Sequence, residues 1–107
     1  MTNFISTGST YWLSDEEIQI LEKIATNGDK NSAFKLYQYH MFVSLDQDLE
    51  FKWLEIAAKN GHPIAQSNLA DLFFTQGNKE KAIFWAKKAY RYGAKLPDEL
   101  KILININ

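Results

Sequence analysis

The chain is laid out in amphipathic blocks, each opened by a side chain able to cap a helix and most closed by a glycine. Ser14 precedes Asp15, Glu16 and Glu17, so its hydroxyl can accept a free backbone N–H while Glu17 reaches back, with Leu13 and Ile18 as a flanking hydrophobic staple. This predicts a first helix over 15–27, its acids at the positive end of the dipole and Gly28 as its left-handed stop. A second helix is expected over 30–43. Asp46 and Asp48 offer caps for a third, which runs through Lys59 and ends at Gly61. Pro63 opens a fourth, since the N–H it lacks would have no intrahelical acceptor in the first turn, and Gly77 stops it after Gln76. Asn78 caps a fifth over 79–92, closed by Gly93, and Pro97 starts a short sixth over 97–103. Residues 1–13 are expected to be extended or irregular.

An internal repeat turns this row of helices into an architecture. Trp53 to Ala65 reads WLEIAAKNGHPIA, and 32 residues later Trp85 to Pro97 reads WAKKAYRYGAKLP, with Trp, Ala and Gly in register. The same spacing brings Ala33 onto Ala65, and Ile24 and Ala25 onto Ile56 and Ala57. Three copies of a longer helix followed by a shorter one are expected, paired over 14–43, 46–76 and 78–104 in one domain spanning 1–107. One amphipathic pair cannot bury its apolar face alone, so neighbouring pairs stack on a shared core. Small residues at Ala57, Ala58, Ala65, Ala82, Ala86 and Ala89 let helices approach closely, while Trp53, Leu69, Phe73 and Trp85 fill the spaces between them.

The stretch from Ala65 to Phe73 with Gly77, and Lys81-Ala82-Ile83-Phe84-Trp85-Ala86-Lys87-Lys88-Ala89 with Gly93, resemble the Sel-one-like repeat, a relative of the tetratricopeptide repeat. Lys52 to Ala58 with Gly61 to Gln66 is similar to that family's second helix and the junction to the next repeat. The resemblance covers residues 30–97. The chain departs from the family in lacking a Gly-x-Gly loop between paired helices, in its short period and in having Glu50 where an alanine is usual. The resemblance implies an all-α fold, a short right-handed solenoid of about three antiparallel helix pairs. It also implies that the first helix of each pair lines an inner surface, with Lys35, Tyr39 and Phe42 of one repeat beside Ser67, Asp71 and Phe74 of the next.

Composition narrows the chemistry. No cysteine is present, which excludes disulfides, thiolate nucleophiles and cysteine-held zinc and suits a reducing compartment. Two prolines and five glycines are too few to punctuate a many-stranded fold. No apolar run reaches the about 18 residues of a membrane span, and residues 1–13 lack the basic start and apolar core of a secretory signal, so a cytoplasmic location is expected. The formal net charge of −1 argues against general affinity for nucleic acid. Residues 1–53 nevertheless carry eight acids against four lysines, and residues 54–107 five acids against eight lysines or arginines.

His40 and His62 are the only histidines, 22 residues apart and in no metal-ligand spacing, so both read as structural, and no catalytic residue, metal or cofactor is expected. The glycines never cluster into a phosphate-binding loop, and the lysines at 79, 81, 87 and 88 read as a solvated helix face. Asp46, Asp48 and Glu50 have two readings: helix caps, or an electrostatic target for a basic partner. Phe42 also has two: an exposed anchor, or a residue packed under Tyr11 and Trp12.

These readings point to a non-enzymatic protein that binds another protein. The first version is a small bacterial immunity-type inhibitor that neutralises a cognate toxin or effector; the alternative is an adaptor or chaperone-like module holding peptide segments in a concave groove. The expected partner-binding residues are Lys35, Tyr39, Phe42, Asp46, Asp48, Glu50, Ser67, Asp71 and Phe74. Nucleic acid and membrane are not expected as partners, and self-association is an open alternative use of an exposed aromatic face.

Overall fold

The computed structural model describes residues 10–105, and within them the chain forms six helices: α1 (Asp15–Thr26), α2 (Lys30–Phe42), α3 (Gln47–Lys59), α4 (Pro63–Thr75), α5 (Lys79–Arg91) and α6 (Asp98–Leu103). Five of the six begin on a side chain that accepts a first-turn N–H: Ser14, Asp29, Asp46, His62 and Asn78. Ser14 and Glu17 complete the reciprocal capping box, at 3.1 Å and 2.9 Å. Of the two candidate caps for α3, Asp46 takes the role and Asp48 lies exposed in the first turn. Pro97 precedes α6 as its cap residue instead of forming its first turn. Most of the segment expected to be extended or irregular, residues 1–9, lies outside the described residues; of the rest, Tyr11 lies in a turn and residues 12–13 are irregular.

Four helix ends share one closure. The third N–H past α1, α3, α4 and α5 returns to a carbonyl in the last turn, from Asp29 to Ile24, His62 to Ala57, Asn78 to Phe73 and Ala94 to Ala89, each time across a glycine. That turn needs a residue at positive φ. Gly61, at φ +95°, is the most constrained case, because a Cβ there would lie 3.0 Å from the Tyr92 ring.

The expected alternation of longer and shorter helices is not what forms: α1 has 12 residues, α2 to α5 have 13 each, and α6 has 6. The most extensive contacts run between α2 and α3 and between α4 and α5. The expected pairing over 14–43, 46–76 and 78–104 is therefore out of step with the tightest hairpins by one helix. The cause lies in α1, which buries only Ala25, whereas α3 buries four residues and α5 buries four. Neighbouring pairs then stack. α1 also touches α3, which puts the odd-numbered helices in one layer, and Tyr37 of α2 meets Asn68 of α4, which puts the even-numbered ones in the other. The result is an all-α, repeat-like arrangement of stacked helix pairs.

The repeat period itself changes along the chain. α4 begins 33 residues after α2, but α5 begins 32 after α3, because four residues (43–46) join α2 to α3 and only three (76–78) join α4 to α5. Burial follows the 33-residue register between α2 and α4: Ser32 matches Ala65, Ala33 matches Gln66, Leu36 matches Leu69 and His40 matches Phe73, all buried. The sequence alignment of Ala33 with Ala65 is thus one residue off in this layer.

Among the described residues, half of the eighteen buried apolar ones are alanine, and they occupy the helix seams around Trp53, Trp85, Leu36 and Leu69. Between α3 and α4, Gln66 is wholly buried and donates from Nε2 to the Ala58 carbonyl at 3.1 Å, supplying a partner to a carbonyl at the end of α3. With so little free volume, one enlarged side chain forces the backbones apart. Ala65→Leu should destabilise the protein by about 1–3 kcal/mol, a fall in melting temperature of about 4–8 °C per kcal/mol. Thr75→Leu, at an exposed position of the same helix, is the control. Calorimetry checks this, and equal melting temperatures for wild type and Ala65→Leu would refute the close-packed seam.

Candidate functional site

Leu54 of α3 and Leu72 of α4 floor a crevice that opens into two lobes beside Glu50. One lobe, of about 300 Å3, is walled by Tyr37, Glu50, Asn68, Asp71 and Thr75; the other, of about 320 Å3, by Gln47, Glu50, Phe51 and Gln76. Helical spacing builds both walls. Glu50 stands four residues from Leu54 on α3, and on α4 Asn68 stands four from Leu72 and Asp71 four from Thr75. The Asp46 cap, which accepts from the Leu49 N–H at 3.1 Å, sets where α3 starts and so the phase of Glu50.

Tyr37 reaches the crevice from α2, and its Oη accepts from Asn68 Nδ2 at 3.3 Å. Burial pushes the Tyr37 phenol above its ordinary value of 10.0; the Asn68 hydrogen bond works against that rise and the nearby Glu50 carboxylate adds to it. The phenol therefore stays neutral. Ion pairs among the described residues join Lys59 to Glu55 and Lys101 to Asp98, and neither Glu50 nor Asp71 takes part in one. Two carboxylates over a leucine floor match a long cationic side chain, its aliphatic stem on Leu54 and Leu72 and its head within reach of the acids.

The nine residues expected from the sequence do not form one surface. Glu50 and Asp71 share the crevice. Asp46 and Asp48 stand exposed at the start of α3, Asp46 engaged as the cap. Lys35 is exposed beside a shallow depression that it shares with Thr10 to Leu13 and Gln38. Tyr39 is half-buried, edge-on to His40 with ring centroids 5.1 Å apart. Phe42 stacks on Tyr11 at 4.5 Å, the packing arrangement of its two readings, and keeps 37% of its surface exposed. Ser67 is buried, and Phe74, expected on the inner surface, packs half-buried against the central cluster. The register change explains these last two. At 33 residues the counterpart of exposed Lys35 is Asn68, so Ser67 falls one position round the helix, toward the interior. Asn68, Leu72 and Thr75 were missed for the same reason, and aligning the two helices on their caps, Asp29 and His62, would have placed them opposite Lys35, Tyr39 and Phe42.

Both histidines serve the structure. His40 is buried, with Nδ1 2.7 Å from Ser44 Oγ and Nε2 without a partner among the described residues. Burial pushes its pKa below the ordinary 6.5, against the pull of Asp46 and Glu22, while Lys52 adds to the drop. His62 caps α4 by accepting the Ala65 N–H at Nδ1, 3.3 Å away, and stacks on Phe34 at 4.1 Å. Burial, with a smaller effect from Lys30, lowers its pKa too. Among the described residues no group of three or more His, Asp or Glu is placed to hold a metal ion, and no helix is long and apolar enough to cross a membrane.

The chain is 34% identical over 95 residues, 82% of its length, to the uncharacterized protein YibG of Escherichia coli (strain K12). It spans 62% of the length of that relative. No protein-family model and no solved structure matches it.

The two imidazoles, His40 buried and His62 half-buried, set a pH dependence. Both have native pKa values below the unfolded 6.5, so the stability of their neutral forms is complete above about pH 6.5 and is lost as pH falls through the native values, where the unfolded chain binds protons first. The urea midpoint should drop between about pH 6.5 and pH 5, above the range where ordinary carboxylates titrate. The double variant His40→Phe, matching Phe73, with His62→Asn, which keeps a capping side chain, should show a flat profile there. An identical slope in both proteins would refute the assignment.

Proposed function

We propose that this chain is a non-enzymatic, cytoplasmic protein-binding module of the Sel-one-like, tetratricopeptide-related type, coiled with a right hand. We propose further that it acts as a small immunity-type inhibitor, occupying the surface of a cognate bacterial toxin or effector. The observation that carries this reading is the crevice of Glu50 and Asp71: two carboxylates without a cation among the described residues, over the apolar floor of Leu54 and Leu72. A partner's arginine or lysine entering it would exchange water for charge-assisted hydrogen bonds, and Asp46 and Asp48 beside it would speed the approach of a basic surface. In this reading Lys35, Tyr39 and Phe42, which lie outside the crevice, supply a second region of the contact, and buried Ser67 and half-buried Phe74 are left out of it. The likeness to a bacterial protein supports the bacterial setting.

The test is capture by the tagged chain followed by titration of the captured enzyme. A folded enzyme should bind at about nanomolar Kd and lose activity in one-to-one proportion. Glu50→Lys with Asp71→Lys, both at solvent-accessible positions, should weaken that binding by about 100-fold or more while leaving the circular dichroism spectrum unchanged. Recovery of short segments alone, bound at about micromolar Kd with no activity blocked, would replace the inhibitor by the adaptor.

A further inference from the structure

Ile64, Ser67, Ala94, Lys95, Leu96 and Pro97 line a cleft of about 650 Å3 between the first half of α4 and the chain that joins α5 to α6. The chain itself shows what such a space accepts, because the same site occurs one repeat earlier and is filled there. In the 33-residue register of the even-numbered helices, Ser67 stands where Phe34 stands. On the other wall, Ala94 makes the helix-closing bond to the Ala89 carbonyl that His62 makes to the Ala57 carbonyl, so Ala94 stands where His62 stands. In the earlier site Phe34 and His62 lie face to face, ring centroids 4.1 Å apart and 13° from parallel. In the later one both rings are replaced by small side chains and the space is open.

Charge says which segment would enter. Lys95 is exposed on the rim and takes part in no ion pair among the described residues, and α5, which leads into this loop, carries five lysines or arginines against one glutamate. We propose that this cleft receives an aromatic side chain from an acidic segment of the partner protein, the ring taking the place that Phe34 and His62 occupy one repeat earlier and a carboxylate pairing with Lys95. The inference rests on the protein-binding reading above. It extends that surface, since Asn68 lines both this cleft and the crevice of Glu50 and Asp71.

The probes are three amidated, N-acetylated tripeptides, Asp-Phe-Asp, Asp-Ala-Asp and Lys-Phe-Lys, titrated into the 15N-labelled full chain at about 50 mM salt, where the Debye length is still about 14 Å. Asp-Phe-Asp should shift the amides of Ile64, Ser67, Ala94 and Leu96 saturably with a Kd of roughly 1 mM, as expected for a ligand of this size. Lys-Phe-Lys should bind about threefold or more weakly and Asp-Ala-Asp should not saturate. Ser67→Phe, which restores the ring of the earlier repeat, should weaken Asp-Phe-Asp about tenfold or more at an unchanged or higher melting temperature. Ile64→Gln, at an exposed wall position that any folded chain tolerates, gives the same readout should Ser67→Phe fail to fold. Equal shifts from Asp-Ala-Asp, or Asp-Phe-Asp binding unaffected by Ile64→Gln, would overturn the proposal. Glu50→Lys with Asp71→Lys, which adds positive charge within a Debye length of this cleft, should leave Asp-Phe-Asp binding equal or tighter while it weakens toxin binding. Loss of toxin binding and loss of peptide binding are therefore read separately.

Discussion

Close approach of helix backbones along alanine seams is the constraint on which everything else here depends. Ala57, Ala58, Ala65 and Ala70 present almost no side chain where α3 and α4 meet their neighbours, and Ala82, Ala86 and Ala89 do the same on α5. Helices packed this closely have few alternative arrangements, because any larger side chain in the seam opens both neighbouring contacts. The bulk that fills the remaining space comes from a few residues, Trp53, Trp85, Leu36 and Leu69, set in repeating positions. A stack built so displays its outward side chains at fixed separations.

Within that stack, one residue of linker length decides which side chains meet. The chain between α2 and α3 is one residue longer than that between α4 and α5, so the two layers repeat with different periods. Buried positions absorb the change, since Leu36 and Leu69 or His40 and Phe73 still coincide. Exposed ones do not. Asp71 comes to share a crevice with Glu50; separately from the linker, the small side chains of Ser67 and Ala94 leave open in one repeat the site that Phe34 and His62 close in the other. The repeat thus duplicates a scaffold while its surface diverges, the division of labour expected when function resides in sites carried on a common fold.

The residues with most chemical capacity divide along the same line. The imidazoles are spent inside, His62 on a helix start and His40 at a core position that holds phenylalanine in the following repeat. The carboxylates of Glu50 and Asp71 remain solvent-accessible and in no ion pair among the described residues. His40 is buried and His62 half-buried, and burial favours the neutral form of both imidazoles.

The helices were legible in the sequence to within a residue or two, because capping and left-handed stops are local events: Ser14 with Glu17, Pro63 and the glycines at 28, 61, 77 and 93 act on the turns they occupy. The tryptophan repeat likewise revealed that helix pairs stack, since buried aromatic and small residues recur wherever a seam recurs. Only the tertiary structure decided the site. Which hairpins are tight, that Phe74 turns inward while Asp71 faces Glu50, and that one cleft is filled and its counterpart open all depend on how helices rotate against each other. A shift of one residue turns a helix surface by about 100°. A spacing read from the chain as 32 was 33 in the layer that mattered, and local signals carry no information about that rotation.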